Sequence, residues 1–278
     1  MPWSQRYWGL IVGLSLVVVL LALFTAFALA DWPGGPDPCL VEQPDGTQLD
    51  TCYCEKIRDG KVKQPANTWS DLGFMISGLI ILTIVGNDNG RSRTGPANPM
   101  TTGHWLAAVY GIVIILMGPG SMMFHASFTS WGGFLDSTSM FLLLTFLIGY
   151  DLRQMTSLPE WGAWLIALGI LALFLTLRLL FPVQATGIFL GMALVAVGFE
   201  VPIWFGWGVS LRRSTWWLIA FGATFFTSLL IWGLSHTGGV LCDPDAWLWQ
   251  GHVWWHIGSA VSMFILFFYM RSETGGRQ

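Results

Sequence analysis

The chain has 278 residues, of which 54% are hydrophobic and only 10% are charged, and its mean hydropathy is +0.59. A soluble domain carries about 25% charged residues. This chain therefore cannot cover a water-exposed globule with charge, and its surface is predicted to face lipid. The same composition excludes intrinsic disorder, nucleic-acid binding and a small disulfide scaffold, while the formal net charge of −3 says little about partners.

Eight hydrophobic segments follow one another along the chain, and a membrane-spanning helix needs roughly 20 such residues. The segments are Trp8–Ala30, Trp69–Val85, Trp105–Met117 (continuing towards His125), Phe134–Tyr150, Trp161–Phe181, Ala185–Trp207, Thr215–Gly233 and Val253–Met270. A polar stretch, Asp31–Ala66, follows the first of them. The predicted fold class is an all-α integral membrane protein, a seven-transmembrane-helix bundle with an additional N-terminal hydrophobic segment.

The first hydrophobic segment fits two interpretations. Arg6, an apolar run and Ala28-Leu29-Ala30 resemble a signal peptide with a small-residue cleavage site, but the run exceeds the usual core of ~7–15 residues and favours a retained signal anchor. The predicted domains are residues 1–30, the anchor or peptide, residues 31–66, an outer segment with disulfides, and residues 67–272, the seven-helix membrane domain.

Basic residues and cysteines predict the orientation of the helices. With the N-terminus inside, the arginines on inside segments agree with the positive-inside rule. They are Arg6, Arg91, Arg93, Arg153, Arg212, Arg213, Arg271 and Arg277. All four cysteines fall on the outer side, where disulfides persist, and four cysteines allow three pairings. The predicted location is the plasma membrane with the site towards the outer face, or an endomembrane with the site towards the lumen.

Three clusters of polar side chains fall near the outer ends of spans, where ionisable groups by default mark function. Ser121 and His125 close the third hydrophobic segment, Asp136 opens the next, and His252 and His256 open the last. The i, i+4 spacing puts the two members of each pair on one helix face. The three histidines, the Asp136 carboxylate and the Ser121 hydroxyl are therefore predicted to lie together near the outer face. Three protein ligands with an open fourth position are typical of a catalytic zinc site.

The position of Asp136 requires the chain to turn back. It lies eleven residues after His125, about 16 Å away in one continuous helix, so Gly132-Gly133 is predicted to reverse the chain. The alternative is that Asp136 merely caps a helix.

For four other polar residues in or near spans, the sequence gives only a general prediction of their surroundings. Arg178, near the outer end of a span, is predicted to snorkel to the interface. His104 and His236 are interpreted as interfacial residues, and Glu200 has no evident partner inside its span.

Three motifs together resemble the alkaline ceramidase family. They are Gly-x-Gly-Ser-x-x-Phe-His at 118–125, Leu135-Asp136, and His-x-Trp-Trp-His at 252–256. Tyr53-Cys54-Glu55 and Asn67-Thr68-Trp69-Ser70-Asp71 resemble the family's segment before its first core span. The family belongs to a superfamily of seven-span zinc hydrolases that includes the adiponectin receptors and the Per1-type proteins. The resemblance covers about residues 53–270 and implies a zinc-dependent hydrolase of the N-acyl amide bond of ceramide or a ceramide-like lipid.

The resemblance also implies roles for individual residues. His125, His252 and His256 match the family's Zn²⁺ ligands. Ser121 matches the serine that contacts the metal-bound water or the oxyanion, and Asp136 matches the aspartate beside that water.

The resemblance also bears on the pairing of the cysteines and on a calcium site before the first core span. Cys54 and Cys242 match the positions of a family disulfide, which leaves Cys39 with Cys52. Where family members with a calcium site have acidic residues, this chain has Cys52 and Gln64. Ca²⁺ binding is therefore in doubt, although Glu55 and Asn67 remain.

Two other functions are compatible with the same residues. A Per1-type lipid-remodelling enzyme would use the same metal on an ester bond, and a membrane receptor would keep the fold and metal without turnover. An intact Ser121/Asp136 pair favours catalysis, because a structural zinc needs no open position lined by a carboxylate. The predicted partner is a membrane lipid, ceramide or another N-acyl lipid, and the exact lipid, its acyl length and the oligomeric state stay open.

Overall fold

The computed structural model describes residues 3–42, 44, 48–50, 52–88, 98–101, 105–207, 211–246 and 249–275. In these ranges the helices are α1 (Trp3–Leu29), α2 (Pro65–Ser70), α3 (Leu72–Asp88), α4 (Trp105–Ser127), α5 (Ser130–Met155), α6 (Glu160–Leu180), α7 (Ala185–Phe205), α8 (Thr215–Leu234) and α9 (Gly251–Arg271). A short antiparallel hairpin pairs β1 (Leu40–Glu42) with β2 (Gln48–Asp50). Arg91, Arg93, His104 and Arg277 lie outside the described residues.

Eight helices in the described part of the chain are long and apolar enough to cross a membrane, with α2 and α3 counted as one. The protein is an all-α, multi-pass membrane protein, and this prediction is confirmed. Around the polar clusters the helices include further turns: α4 continues past Met117 to Ser127, in the direction that the sequence predicts, and α5 begins at Ser130 instead of Phe134. Hydropathy underestimates both helices because their extra turns carry polar side chains.

The helices pack so that α3, α4, α5 and α9 enclose the main apolar core. Tyr110 on α4 is fully buried there and donates a hydrogen bond to the carbonyl of Met263 on α9 (2.7 Å). Around this core, α1 packs against α3, α6 and α7 pack against α5, and α8 packs against α9. Since few residues of α6, α7 and α8 are buried in the chain alone, much of their surface is available to lipid.

Both disulfides lie at one end of the bundle, which is called the disulfide end below. Cys39 is bonded to Cys52 and Cys54 to Cys242, which is the pairing that the family resemblance implies. The second bond joins the segment before α2 to the segment between α8 and α9. In the same region, the carbonyl of Cys52 accepts a hydrogen bond from Nδ1 of His236 (2.7 Å).

The opposite end of the bundle is held by buried ion pairs around Arg213. Its guanidinium contacts Asp151 (2.8 Å), Glu273 (3.1 Å) and Glu200, and Tyr269 also donates to Glu200. Glu200, which has no evident partner in the sequence, is therefore paired in the structure, and its partners come from the segment before α8 and from α9. The cysteines and the Arg213 ion pairs thus occupy opposite ends, while the membrane face that each end meets stays a prediction.

Helix α1 packs closely against α3. A Cβ atom on Gly9 would overlap the Leu82 carbonyl, and one on Gly13 would lie 2.6 Å from Leu79 Cδ1. Glycines four residues apart permit this kind of close approach between membrane helices. Further along α1, Phe24 is buried in an apolar cluster with residues of α3 and α4. These contacts would be lost if the segment were removed.

We therefore expect the mature protein to retain α1 as a signal anchor. Intact-mass measurement of protein purified from membranes should give a mass that includes residues 1–30. A mature N-terminus at Asp31 would show instead that the segment is a cleaved signal peptide.

Candidate metal centre and lipid cavity

A tight turn between α4 and α5 brings the first two polar clusters together. Phe128 adopts a left-handed conformation (φ +50°), and the side chain of Thr129 caps α5 by accepting a hydrogen bond from the Gly132 amide (3.1 Å). The prediction that Gly132-Gly133 reverses the chain is wrong, since both glycines already lie inside α5. Asp136 follows in the second turn, so it does not cap the helix.

Three buried histidines converge at the disulfide end. His125 comes from the last turn of α4, while His252 and His256 come from the first two turns of α9. One ligand atom of each lies within 4.8 Å of the others. The ring centroids are 4.9, 5.1 and 4.5 Å apart. In the described ranges this is the one group of three His, Cys, Asp or Glu residues close enough to hold a metal ion.

Residues before and within α2 fix the orientation of two of these imidazoles. His125 Nδ1 lies 2.9 Å from Gln64 Oε1, and His256 Nδ1 lies 2.8 Å from Ser70 Oγ and 3.1 Å from the Asn67 carbonyl. Metal-binding histidines almost always engage their second nitrogen in this way, which sets the tautomer. With Nδ1 occupied, Nε2 is the nitrogen left to bind a metal.

Ser121 lies one turn before His125 and interacts with two carboxylates, Asp71 and Asp136. Asp71 joins α2 to α3 and is fully buried, and its Oδ1 lies 3.3 Å from His256 Nδ1. Neither Asp71 oxygen receives a hydrogen bond of regular geometry from the described residues. A buried, uncompensated carboxylate is costly, and a cation held by the histidines would offset that cost. The donor set therefore fits a divalent metal ion.

A cavity of about 310 Å³ extends from the histidines into the bundle. It lies between α5, α7, α8 and α9, and its wall is mainly apolar, with side chains such as Leu143, Phe189, Phe221, Phe225 and Met263. Ser121 and Asp136 line one end, and Glu200 and Arg213 line the other. Along α9, Tyr269 at the far end follows His256 by thirteen residues, about 20 Å at 1.5 Å per residue.

A family model described as Ceramidase matches residues 53–277 of the chain, which contain all of these site residues. The chain belongs to the ceramidase family. In a sequence comparison, no curated protein matches it. The match identifies the ceramidase domain of the chain, and α1 and most of the polar segment before α2 precede this domain.

Glu55, Gln64 and Asn67, which occupy positions of the calcium site in some family members, form hydrogen bonds that lead to the histidines. The carboxylate of Glu55 accepts the backbone N–H groups of Ala66 (2.9 Å) and Asn67 (2.8 Å) at the start of α2. The Gln64 side chain donates to the Glu55 carbonyl (2.8 Å), while its Oε1 accepts from Asn67 Nδ2 (3.0 Å) and faces His125. Glu55, Gln64 and Asn67 therefore support two histidines of the candidate metal centre, His125 and His256.

Arg178 turns into the bundle, and the prediction that it snorkels is wrong. Its side chain is only 6% exposed, and its Nε donates to Ser137 Oγ (3.0 Å). It also interacts electrostatically with Asp37 and Asp136. These carboxylates provide a buried partner for the guanidinium, so it has no need to reach the interface.

Sequence reasoning missed Asp71 as a member of the site. Asp71 stands in the motif before the first core span, and an ionisable residue entering a hydrophobic span is itself a signal of function. Tyr53 was also missed, and its ring centroid lies 4.6 Å from that of His252 and 5.1 Å from that of His125. Tyr53 thus packs directly against the histidine cluster.

Proposed function

We propose that this ceramidase-family protein hydrolyses the N-acyl amide bond of ceramide, or of a ceramide-like membrane lipid, with Zn²⁺ as its cofactor. The observation that carries the proposal is the continuity of the histidine cluster, the Ser121–Asp136 pair and a long apolar cavity. An acyl chain would lie along the cavity with its carbonyl beside the histidines. The volume is at the lower end of the ~300–1,000 Å³ typical of ligand pockets.

His125, His252 and His256 would hold the zinc. When bound, Zn²⁺ supplies Lewis-acid chemistry, lowering the pKa of a water and polarising the amide carbonyl. The protein fixes two of the three imidazoles, His125 through Gln64 and His256 through the Asn67 carbonyl. Because the cluster provides three ligands, a fourth position stays available for the reacting groups.

Asp136 and Ser121 would carry the proton and charge movements of the reaction. Asp136 accepts a proton from the attacking water as the new C–O bond forms. It then delivers that proton to the amide nitrogen, which leaves as the amine of the sphingoid base when the C–N bond breaks. Ser121 donates a hydrogen bond to the carbonyl oxygen as negative charge develops there, a contribution of about 3 kcal/mol for donors of this kind.

This function is tested by comparing the products that the protein releases from an amide lipid and from an ester lipid. Purified, zinc-loaded protein should release fatty acid and sphingoid base in equal amounts from ceramide, with far less fatty acid from a diacyl phospholipid carrying the same acyl chains. Mass spectrometry of both products, with a chelator-treated sample as control, measures the preference. Release from the phospholipid alone would favour the Per1-type ester reaction. No release from either lipid would favour a receptor without turnover.

A further inference from the structure

The segment that precedes the ceramidase domain places a buried carboxylate near the candidate site. Asp37 is only 7% exposed. Its backbone N–H donates to the Phe128 carbonyl (2.9 Å) at the α4–α5 turn, and its Oδ1 accepts from the Cys39 amide (3.0 Å). Burial raises the pKa of the Asp37 carboxyl, while the Cys39 amide and the Arg178 guanidinium lower it. A charge in this position needs a partner to offset its desolvation.

Arg178 on α6 is the opposite charge that interacts electrostatically with Asp37, and both side chains approach Gly133 on α5. A Cβ atom on Gly133 would lie 2.7 Å from Asp37 Oδ2 and 3.3 Å from Arg178 Nη2, so glycine leaves the space that both side chains use. Arg178 Nε also donates to Ser137 (3.0 Å), which in turn donates to the Gly133 carbonyl (2.9 Å). The guanidinium is thus fixed beside the helical turn that carries Asp136.

Arg178 interacts electrostatically with both Asp37 and Asp136. We infer that Arg178 is a positioning residue for Asp136, and that Asp37 keeps Arg178 in place from a segment outside the family match. Without Asp37, the long side chain of Arg178 would be free to turn towards the interface, as arginines near the ends of spans do. The inference rests on the proposed function, since it requires Asp136 to take part in hydrolysis.

A purely structural pair would behave differently from a positioning pair. If Asp37 and Arg178 only tie the extension to α6, their loss lowers the melting temperature and leaves kcat of the remaining folded protein unchanged. If they position Asp136, their loss lowers kcat while zinc content and KM stay close to wild type. The two roles are therefore separable by kinetics on folded, zinc-loaded protein.

The test compares Asp37→Asn and Arg178→Gln with the matched control Asp31→Asn. Asp31 lies in the same segment, pairs with Lys61 and has a side chain that is 82% exposed, so the control removes an equal charge from a position open to solvent. We expect Asp37→Asn and Arg178→Gln to lower kcat for ceramide by about 10–100-fold, the range seen for outer-shell partners. Arg178→Lys should recover part of the loss, and Asp31→Asn should match wild type.

The second readout is whether the effects of these substitutions on kcat add to that of Asp136→Asn. In an Asp136→Asn background, neither Asp37→Asn nor Arg178→Gln should lower kcat further, because groups that act through one residue do not add. Unchanged kcat in both single variants, or an equal further loss in the Asp136→Asn background, would overturn the inference. If Arg178→Gln does not fold, the cycle between Asp37→Asn and Asp136→Asn decides the question. Absence of hydrolysis by wild-type protein would instead refute the proposed function.

Discussion

Replacing His252 and His256 together with alanine is expected to remove the bound metal and reduce ceramide hydrolysis to the background rate. The two residues supply two of the three convergent imidazoles, and the remaining His125 cannot hold a zinc ion alone. Alanine is a strong helix former, and the disulfides and the Arg213 ion pairs do not depend on these side chains. The variant should therefore keep its helical content, and metal analysis should fall from about one zinc per chain, as in three-ligand catalytic sites, to almost none.

His236→Ala is the matched control for this double variant. His236 lies at the same end of the bundle and contacts Tyr53, but its Nδ1 is hydrogen-bonded to the Cys52 carbonyl and it is not part of the three-histidine group. It should retain zinc and activity. Full zinc occupancy in His252→Ala/His256→Ala would place the metal elsewhere in the chain.

Replacing Asp136 with asparagine is expected to lower kcat by about 10²–10⁴-fold, the usual contribution of general acid–base catalysis. Asparagine keeps the size of the side chain but cannot accept and return a proton. Since Thr129 caps α5 and Asp136 lies in its second turn, loss of a helix cap cannot explain the effect. Zinc content and melting temperature should stay close to wild type.

Two further variants show whether the loss of activity is specific to the Asp136 carboxylate. Asp243→Asn removes a carboxylate from an exposed loop at the same end and should leave turnover unchanged. Ser121→Ala should cost about 10²–10³-fold if Ser121 acts as an oxyanion donor. Near-wild-type hydrolysis by zinc-loaded Asp136→Asn would remove the carboxylate from the mechanism, and with it the role inferred for Arg178.

Much of the fold could be predicted because a bilayer imposes a length and a polarity on every span. The eight segments found by hydropathy correspond to the eight helices or helix pairs of the structure. The i, i+4 spacing of His252 and His256 likewise needs only local helix geometry. Their encounter with His125, more than a hundred residues earlier, could be proposed only from the common end of the spans and from the family resemblance.

The predictions that failed concern contacts between elements distant in the sequence. Helix α6 is apolar on most of its surface, so the sequence does not show that Arg178 faces inward to Ser137. Glu200 accepts a hydrogen bond from Tyr269 at the far end of the cavity, a contact that local spacing cannot indicate. The chain reverses before α5 through Phe128, which adopts a left-handed conformation. Because glycine adopts that conformation far more readily than phenylalanine, the sequence instead favours a turn at the neighbouring Gly132-Gly133.

The central claim is that one zinc at the three histidines supports cleavage of an N-acyl lipid, and zinc titration of metal-stripped protein tests it most directly. Stripped protein should release neither fatty acid nor sphingoid base from ceramide. Adding Zn²⁺ should restore both products in equal amounts, with activity rising in proportion to bound zinc and reaching its maximum at about one ion per chain. Full ceramide hydrolysis by stripped protein, or a one-zinc protein that releases neither product, would contradict the account.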